Sequence, residues 1–153
     1  MKQITWSVFF AQLAGIGKSP VAPGTAATLM VGAPAAWLLS RVSLPVAIGA
    51  LVALFVFACW AADLAEKQAN RVDPGEIVID ELVGYLVTMI GVPLGWKSLL
   101  LGFLLFRCFD IFKPWPVSWF NKDQPGGIWI VLDDVAAGVY AHLLLWGILL
   151  LWP

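Results

Sequence analysis

Apolar residues fall into five long runs separated by short polar stretches, and the runs lack the period-two alternation of half-buried strands. The first extends from about Thr25 to Leu39 and contains Pro34. The second, Leu44–Ala62, has 19 residues without a charge, enough to cross a hydrocarbon core of ~30 Å as a helix. That helix is expected to continue into the polar stretch Asp63–Asn70. Leu82–Leu94 follows Asp80-Glu81, Ser98–Phe112 contains Arg107 and Asp110, and Val135–Trp152 follows Asp133-Asp134. The third and fourth runs fall short of the ~20 residues a span needs and reach it only by including their charged ends. Met1–Ala14 is interrupted by Gln3, Thr5, Ser7 and Gln12 and has no small-x-small cleavage site. It reads as an interfacial helix retained on the protein, not as a signal peptide. The pattern predicts an all-α, polytopic membrane protein: one domain over 1–153, a bundle of about five transmembrane helices with an N-terminal interfacial helix.

Composition sharpens that expectation. The chain is 61% hydrophobic and 12% charged, with a mean hydropathy of +0.87, too apolar to cover the surface of a soluble domain of 153 residues. Its nine tryptophans mostly sit near the ends of the runs, where aromatic belts mark membrane interfaces. A net charge of −1 excludes a basic field for nucleic acid. Cys59 and Cys108 lie inside apolar runs with no zinc or redox spacing, and read as buried small apolar residues. With five spans, Lys2, Lys18, Lys67, Arg71, Lys113 and Lys122 share one side, against Arg41 and Lys97 on the other. The positive-inside rule puts the richer side, with every candidate functional motif, in the cytoplasm.

Five carboxylates border or enter the runs: Asp80, Glu81, Asp110, Asp133 and Asp134. An ionised carboxylate in hydrocarbon costs a few kcal/mol on the mildest insertion scales, so acids persist there when they bind a cation, pair with a base or line a polar cavity. Five converging negative charges repel unless a divalent cation screens them. Oxygen-only ligands favour Mg²⁺, with Mn²⁺ or Ca²⁺ as alternatives. Helix N-capping by the two acidic pairs is the competing reading, and it explains one acid per helix better than two. Arg107, Asp110 and Lys113 recur every three residues on one helix face. Two readings are open for them: a local ion-pair ladder, or two bases that bind phosphate while Asp110 joins the acids. The loop Gly15–Thr25, punctuated by glycine and proline, opens a helix at Gly24-Thr25 and offers an anion site, or a plain turn; its Gly-Lys-Ser lacks Walker spacing. His142, among leucines, reads as a buried or helix-bonded histidine, and no Ser–His or thiol nucleophile is supported.

Four segments together resemble the bacterial phosphatidylglycerophosphatase A family: Pro20–Thr25, Asp73–Gly84, Phe106–Pro116 and Asp133–Gly138. They keep the family's order and cover nearly the whole chain. Where that family often carries small Gly or Ser residues after the first motif, this chain has Ala26-Ala27-Thr28, and Lys18 has no counterpart in the motif. The resemblance implies a Mg²⁺-dependent phosphatase domain of the bacterial inner membrane, acting on phosphatidylglycerophosphate at the cytoplasmic face. On that expectation Asp80, Glu81, Asp133 and Asp134 hold the metal. Gly24, Thr25, Arg107 and Lys113 bind phosphate, and Asp110, Lys113 and Arg107 form the catalytic set. The expected partners are the phospholipid and the membrane, with no nucleic acid and no protein partner. A CDP-alcohol phosphotransferase shares acids, Mg²⁺ and lipid, but Asp133-Asp134 lacks its following Ala-Arg. A cation transporter would carry its acids near the midplane instead of at one face.

The charge split predicts a definite topology. With Cys59 and Cys108 replaced, a cysteine at Ser43 should react with an impermeant thiol reagent in intact spheroplasts. One at Asn121 should react only after the inner membrane is opened. The opposite labelling pattern would turn the acidic motifs away from the cytoplasm.

Overall fold

A computed structural model describes residues 5–113, 115 and 124–151; the expectations for Lys2, Lys122 and Trp152 lie outside them. Among the described residues all regular structure is helical. The order is α1 (Trp6–Ala11), a 3₁₀ turn (Ile16–Lys18), α2 (Pro23–Ala27), a π turn (Thr28–Gly32), α3 (Ala33–Leu39), α4 (Leu44–Ala69), α5 (Ile79–Met89), α6 (Trp96–Phe112) and α7 (Gly127–Leu151). The first apolar run is therefore one path of α2, π turn and α3. Pro34 sits in the first turn of α3, where its missing N–H costs little, and the wide turn before it absorbs the mismatch. The Thr28 hydroxyl donates to the Gly24 carbonyl at 2.8 Å in that stretch.

The second run continues to Ala69, as the polar extension required, and ends on Asn70 in the left-handed region (φ 53°). Two runs are corrected. The third is only Ile79–Met89, eleven residues or ~16 Å, because the chain turns at Gly91 (φ +69°) before Pro93. Nearly all of α5 is buried, so it is an inner helix wrapped by its neighbours. The fifth starts at Gly127, which places Asp133 and Asp134 almost two turns inside α7 and not at its opening. Helix capping therefore does not account for that acidic pair. Of the N-terminal stretch, helix extends over Trp6–Ala11, with Trp6, Phe9 and Phe10 exposed and Ser7 and Ala11 buried.

α4 and α7 are the helices long and apolar enough to cross a membrane. Large apolar side chains cover the outside of the bundle, among them Val52 and Val56 on α4, Leu100 and Leu104 on α6, and Leu143 on α7. Such extensive apolar surface needs a nonaqueous neighbour. Inside, small residues let backbones approach. Ala58, Ala61, Ala62 and Ala65 form the buried face of α4, and Gly127 leaves room for the α4 backbone at Cys59 and Asp63. α5 and α7 meet at Gly84 and Gly138, while Tyr85, Phe106 and Leu145 fill the space beside them. A Cβ on Gly84 would come within 2.6 Å of both the Asp134 carbonyl oxygen and the Phe106 ring. His142 approaches the Thr88 carbonyl oxygen through Nδ1 at 3.0 Å, the helix-bonded state expected for it.

A Cβ on Gly138 would overlap the Gly84 carbonyl, whereas one on Gly147 meets nothing within 4 Å. Gly138→Ala should destabilise the protein by about 1–3 kcal/mol or more through overpacking. Gly147→Ala should be neutral or slightly stabilising. Thermal unfolding midpoints in one detergent compare the two, and equal midpoints would refute the tight seam.

Candidate active site

The N-terminal end of α5, the C-terminal end of α6, the first turns of α7 and the loop after α4 converge at one end of the bundle. Asp80 and Glu81 occupy the second and third positions of α5, and Asp134 faces them from α7. One carboxylate oxygen from each of these three residues lies within 4.8 Å of the other two. The Gly84–Gly138 crossing produces this closeness, since it presses the α5 and α7 backbones together one turn along each helix from the acids. Asp80 Oδ1, Glu81 Oε2 and Asp134 Oδ2 are buried and accept no hydrogen bond from the described residues. Clustered buried oxygens with open lone pairs fit a hard divalent cation, and on that criterion the donor set suits Mg²⁺.

Asp133, the fourth expected ligand, pairs its Oδ2 with Lys113 Nζ, while its Oδ1, like the three oxygens above, is buried with no hydrogen-bond partner among the described residues; it lies outside the close three-residue cluster. Lys113 follows the last turn of α6 in a left-handed conformation (φ 41°), which swings its side chain away from the α6 face and toward α7. Of the expected three-member ladder only Arg107–Asp110 exists, at 2.5 Å, with Glu81 3.9 Å from the same guanidinium nitrogen. Burial works to lower the Lys113 pKa, but the hydrogen bond to Asp133 and the fields of Asp133, Asp134 and Asp110 outweigh it. The ammonium is held above its ordinary range and stays charged.

Arg107 is half-buried, and its Nε and Nη1 have no hydrogen-bond partner of acceptable geometry, despite the close approach of Asp110. Nη1 is thus held in the ion pair with Asp110, and Nε is the donor left without a partner among the described residues. Gly24 is packed against Glu81 and Arg107; a Cβ there would overlap the Glu81 carboxylate and stand 3.1 Å from Arg107 Nη1. That contact puts the start of α2 at the site. Thr25, its neighbour, is half-buried and does not line the cavity described next.

A cavity of about 160 Å³ opens among these groups. Asp80, Glu81, Asp110, Lys113, Asp133 and Asp134 supply its polar wall. Val72, Asp73 and Gly75 from the loop after α4, and Gln124 and Trp129 from the start of α7, close it. With liquid water at ~30 Å³ per molecule, it has room for a phosphate group or a handful of waters. A larger cavity of about 460 Å³, near Trp37, Arg41 and Met89 at the other end of the bundle, has no carboxylate in its lining. Asp73 is the wall residue that sequence reasoning passed over. A lone Asp before Pro-Gly reads as a turn former, and only its place at the head of Asp73–Gly84 set it apart.

Comparison with known proteins gives a consistent match. The family described as phosphatidylglycerophosphatase A matches residues 9–149. An Escherichia coli protein named phosphatidylglycerophosphatase A is 34% identical over 91% of this chain and 81% of its own. One from Haemophilus influenzae with the same name is 33% identical over 88% and 83%. A Bacteroides thetaiotaomicron protein named as a candidate phosphatidylinositol-3-phosphatase is 39% identical over 86% of both chains. No solved structure matches the chain.

The geometry separates the two neighbouring aspartates of α7. In an equilibrium titration with Mn²⁺ in detergent, Asp134→Asn should weaken binding by about 10–100-fold. Asp133→Asn should weaken it less, because one of its oxygens is engaged by Lys113 and the residue lies outside the close cluster. Equal losses for the two variants would return Asp133 to the ligand set.

Proposed function

The chain belongs to the phosphatidylglycerophosphatase A family, and on that premise we propose that it hydrolyses the terminal phosphomonoester of phosphatidylglycerophosphate to phosphatidylglycerol and inorganic phosphate. One observation carries the reading: four carboxylates with buried, unpartnered oxygens, three of them clustered, share a phosphate-sized cavity with Lys113 and Asp110, next to Arg107. Phosphoryl transfer asks a protein chiefly for charge neutralisation and in-line placement of the nucleophile, and this arrangement supplies both kinds of group.

Mg²⁺ held by Asp80, Glu81 and Asp134 would neutralise charge on the phosphoryl oxygens. Arg107, paired with Asp110 through Nη1, offers its unpartnered Nε hydrogen to those oxygens, and Lys113, oriented by Asp133, adds a second positive group. Asp110 borders the cavity and is fixed by Arg107, so it is the group that orients the attacking water and takes its proton. The new bond joins the water oxygen to phosphorus, the bond from phosphorus to the glycerol oxygen breaks, and that oxygen leaves with the proton that Asp110 took from the water. Gly24 lets the start of α2 close against Glu81 and Arg107.

In this reading the two 17-residue stretches, α2 through α3 and α6, lie in the bilayer beside α4 and α7. The exposed aromatic side chains of α1 rest at the interface. The site faces the cytoplasm of the bacterial inner membrane, where the lipid's head group enters while its acyl chains stay among lipid. The Bacteroides relative's name suggests a phosphoinositide as a second substrate, since it also presents a phosphomonoester on an anionic lipid head group.

Purified protein should release phosphate from phosphatidylglycerophosphate with Mg²⁺, stop in EDTA and recover on re-addition. Asp80→Asn, Asp134→Asn and Lys113→Ala should each lose about 100-fold or more in turnover while eluting as folded protein. Lys113→Arg should rescue only partly, because a planar fork replaces a compact charge. Phosphatidylinositol 3-phosphate serves as the competing substrate, and a higher kcat/KM on it would replace the assignment. Full activity in chelator would remove the metal.

A further inference from the structure

Glu66, in the last turn of α4, is buried at 6% exposure, although it belongs to neither the acidic cluster nor the cavity wall. Both of its oxygens are engaged, by backbone groups far apart in sequence. Oε1 accepts from Asp73 N–H at 3.2 Å, and Oε2 accepts from Gly126 N–H at 2.7 Å. The nearby bases are occupied elsewhere: Lys67 pairs with Asp63 at 2.6 Å and Arg71 with Glu76 at 2.5 Å.

The two anchored points are where the cavity closes. Asp73 begins the loop wall with Gly75, and Gly126 stands between Gln124 and Trp129 of the opposing wall. Both anchors have backbones that need holding. Asp73 is a non-glycine residue at φ 44°, and Gly126 has φ 125°. Gly126 also sets the first turn of α7, so its position propagates along the helix to Asp133 and Asp134. The same loop leads through Val78, whose N–H donates to the Ala11 carbonyl at 2.9 Å, into Asp80 and Glu81.

We propose that Glu66 is a positioning residue for the phosphatase reaction argued above: one carboxylate on α4 clamps the loop before α5 to the loop before α7, and so fixes the separation of the acids each carries. This rests on that functional reading. A glutamate that merely capped α7 would bond Gly126 alone and have no hold on Asp73. A carboxylate suits the task because it accepts at both oxygens, whereas an amide turns one of them into a donor facing an N–H.

The test uses Glu66→Gln and Glu66→Asp in the full chain, with three readouts. The first is size exclusion, the second hydrogen exchange at the Asp73 and Gly126 amides, and the third kcat and KM for phosphatidylglycerophosphate with Mg²⁺. Expected for Glu66→Gln is a folded protein whose two amides exchange at least tenfold faster. Its kcat should fall about 10–100-fold, the scale of a small misplacement of reacting groups, with KM within threefold. Glu66→Asp should move the same way. Wild-type kcat or unchanged exchange in folded variants would overturn the proposal, as would failure of both variants to fold, which makes Glu66 purely structural. If the wild-type protein releases no phosphate from any lipid tested, the functional reading falls, and the exchange rates still decide whether the clamp exists.

Discussion

Six carboxylates, Asp73 among them, meet around one cavity with the bases Lys113 and Arg107, and their mutual repulsion is the constraint the rest of the structure answers. In a low-dielectric interior each uncompensated acid costs several kcal/mol, and a second acid nearby raises that cost. The arrangement divides the problem. Asp110 and Asp133 each receive a base, one from within α6 and one across to α7. Asp80, Glu81 and Asp134 keep open oxygens at close range, the charge that the proposed Mg²⁺ would balance. Holding acidic groups this close requires a stiff frame, and the glycine and alanine contacts of α4, α5 and α7 provide it.

The gross architecture was legible because a 3.6-residue helix and a bilayer-length run leave plain marks on a sequence. The run Leu44–Ala62 and its polar extension became α4, and Ser98–Phe112 became α6 with two residues added at the start. Boundaries set by tertiary contacts were hidden. Nothing local announces that α7 begins at Gly127: its start is held by the Gly126 N–H bond to the Glu66 carboxylate and by close packing of Gly127 on the α4 backbone, 60 or more residues away. α5 looked like a short span because burial among helices and burial in lipid select the same apolar residues.

The candidate site was legible by residue type and less so by pairing. Asp80, Glu81 and Asp134 meet, and Gly24 packs against Glu81 and Arg107, at separations no spacing rule encodes. Helical periodicity assigned Lys113 to the Arg107–Asp110 face, yet one left-handed residue at the helix end sent it to Asp133 instead. A change of that kind rotates a side chain without altering the sequence pattern around it. Asp73 and Glu66 escaped notice for the opposite reason. Each sits in a polar stretch where an acid is unremarkable, and their connection through a backbone N–H exists only once the chain has folded.

The burial of α5 bears on how such a protein tolerates its surroundings. Bilayers differ in thickness with lipid composition and temperature, and helices in contact with lipid answer by tilting or kinking. In the proposed bilayer placement α4, α6 and α7 would present their outer faces to that stress, while α5, eleven residues long and enclosed by them, has almost no surface on which lipid could act. The two acids at its head are thereby mounted on the member of the bundle least coupled to membrane thickness. An enzyme that changes the composition of its own solvent gains from this: the product can accumulate around the outer helices without shifting the ruler against which the inner acids are set.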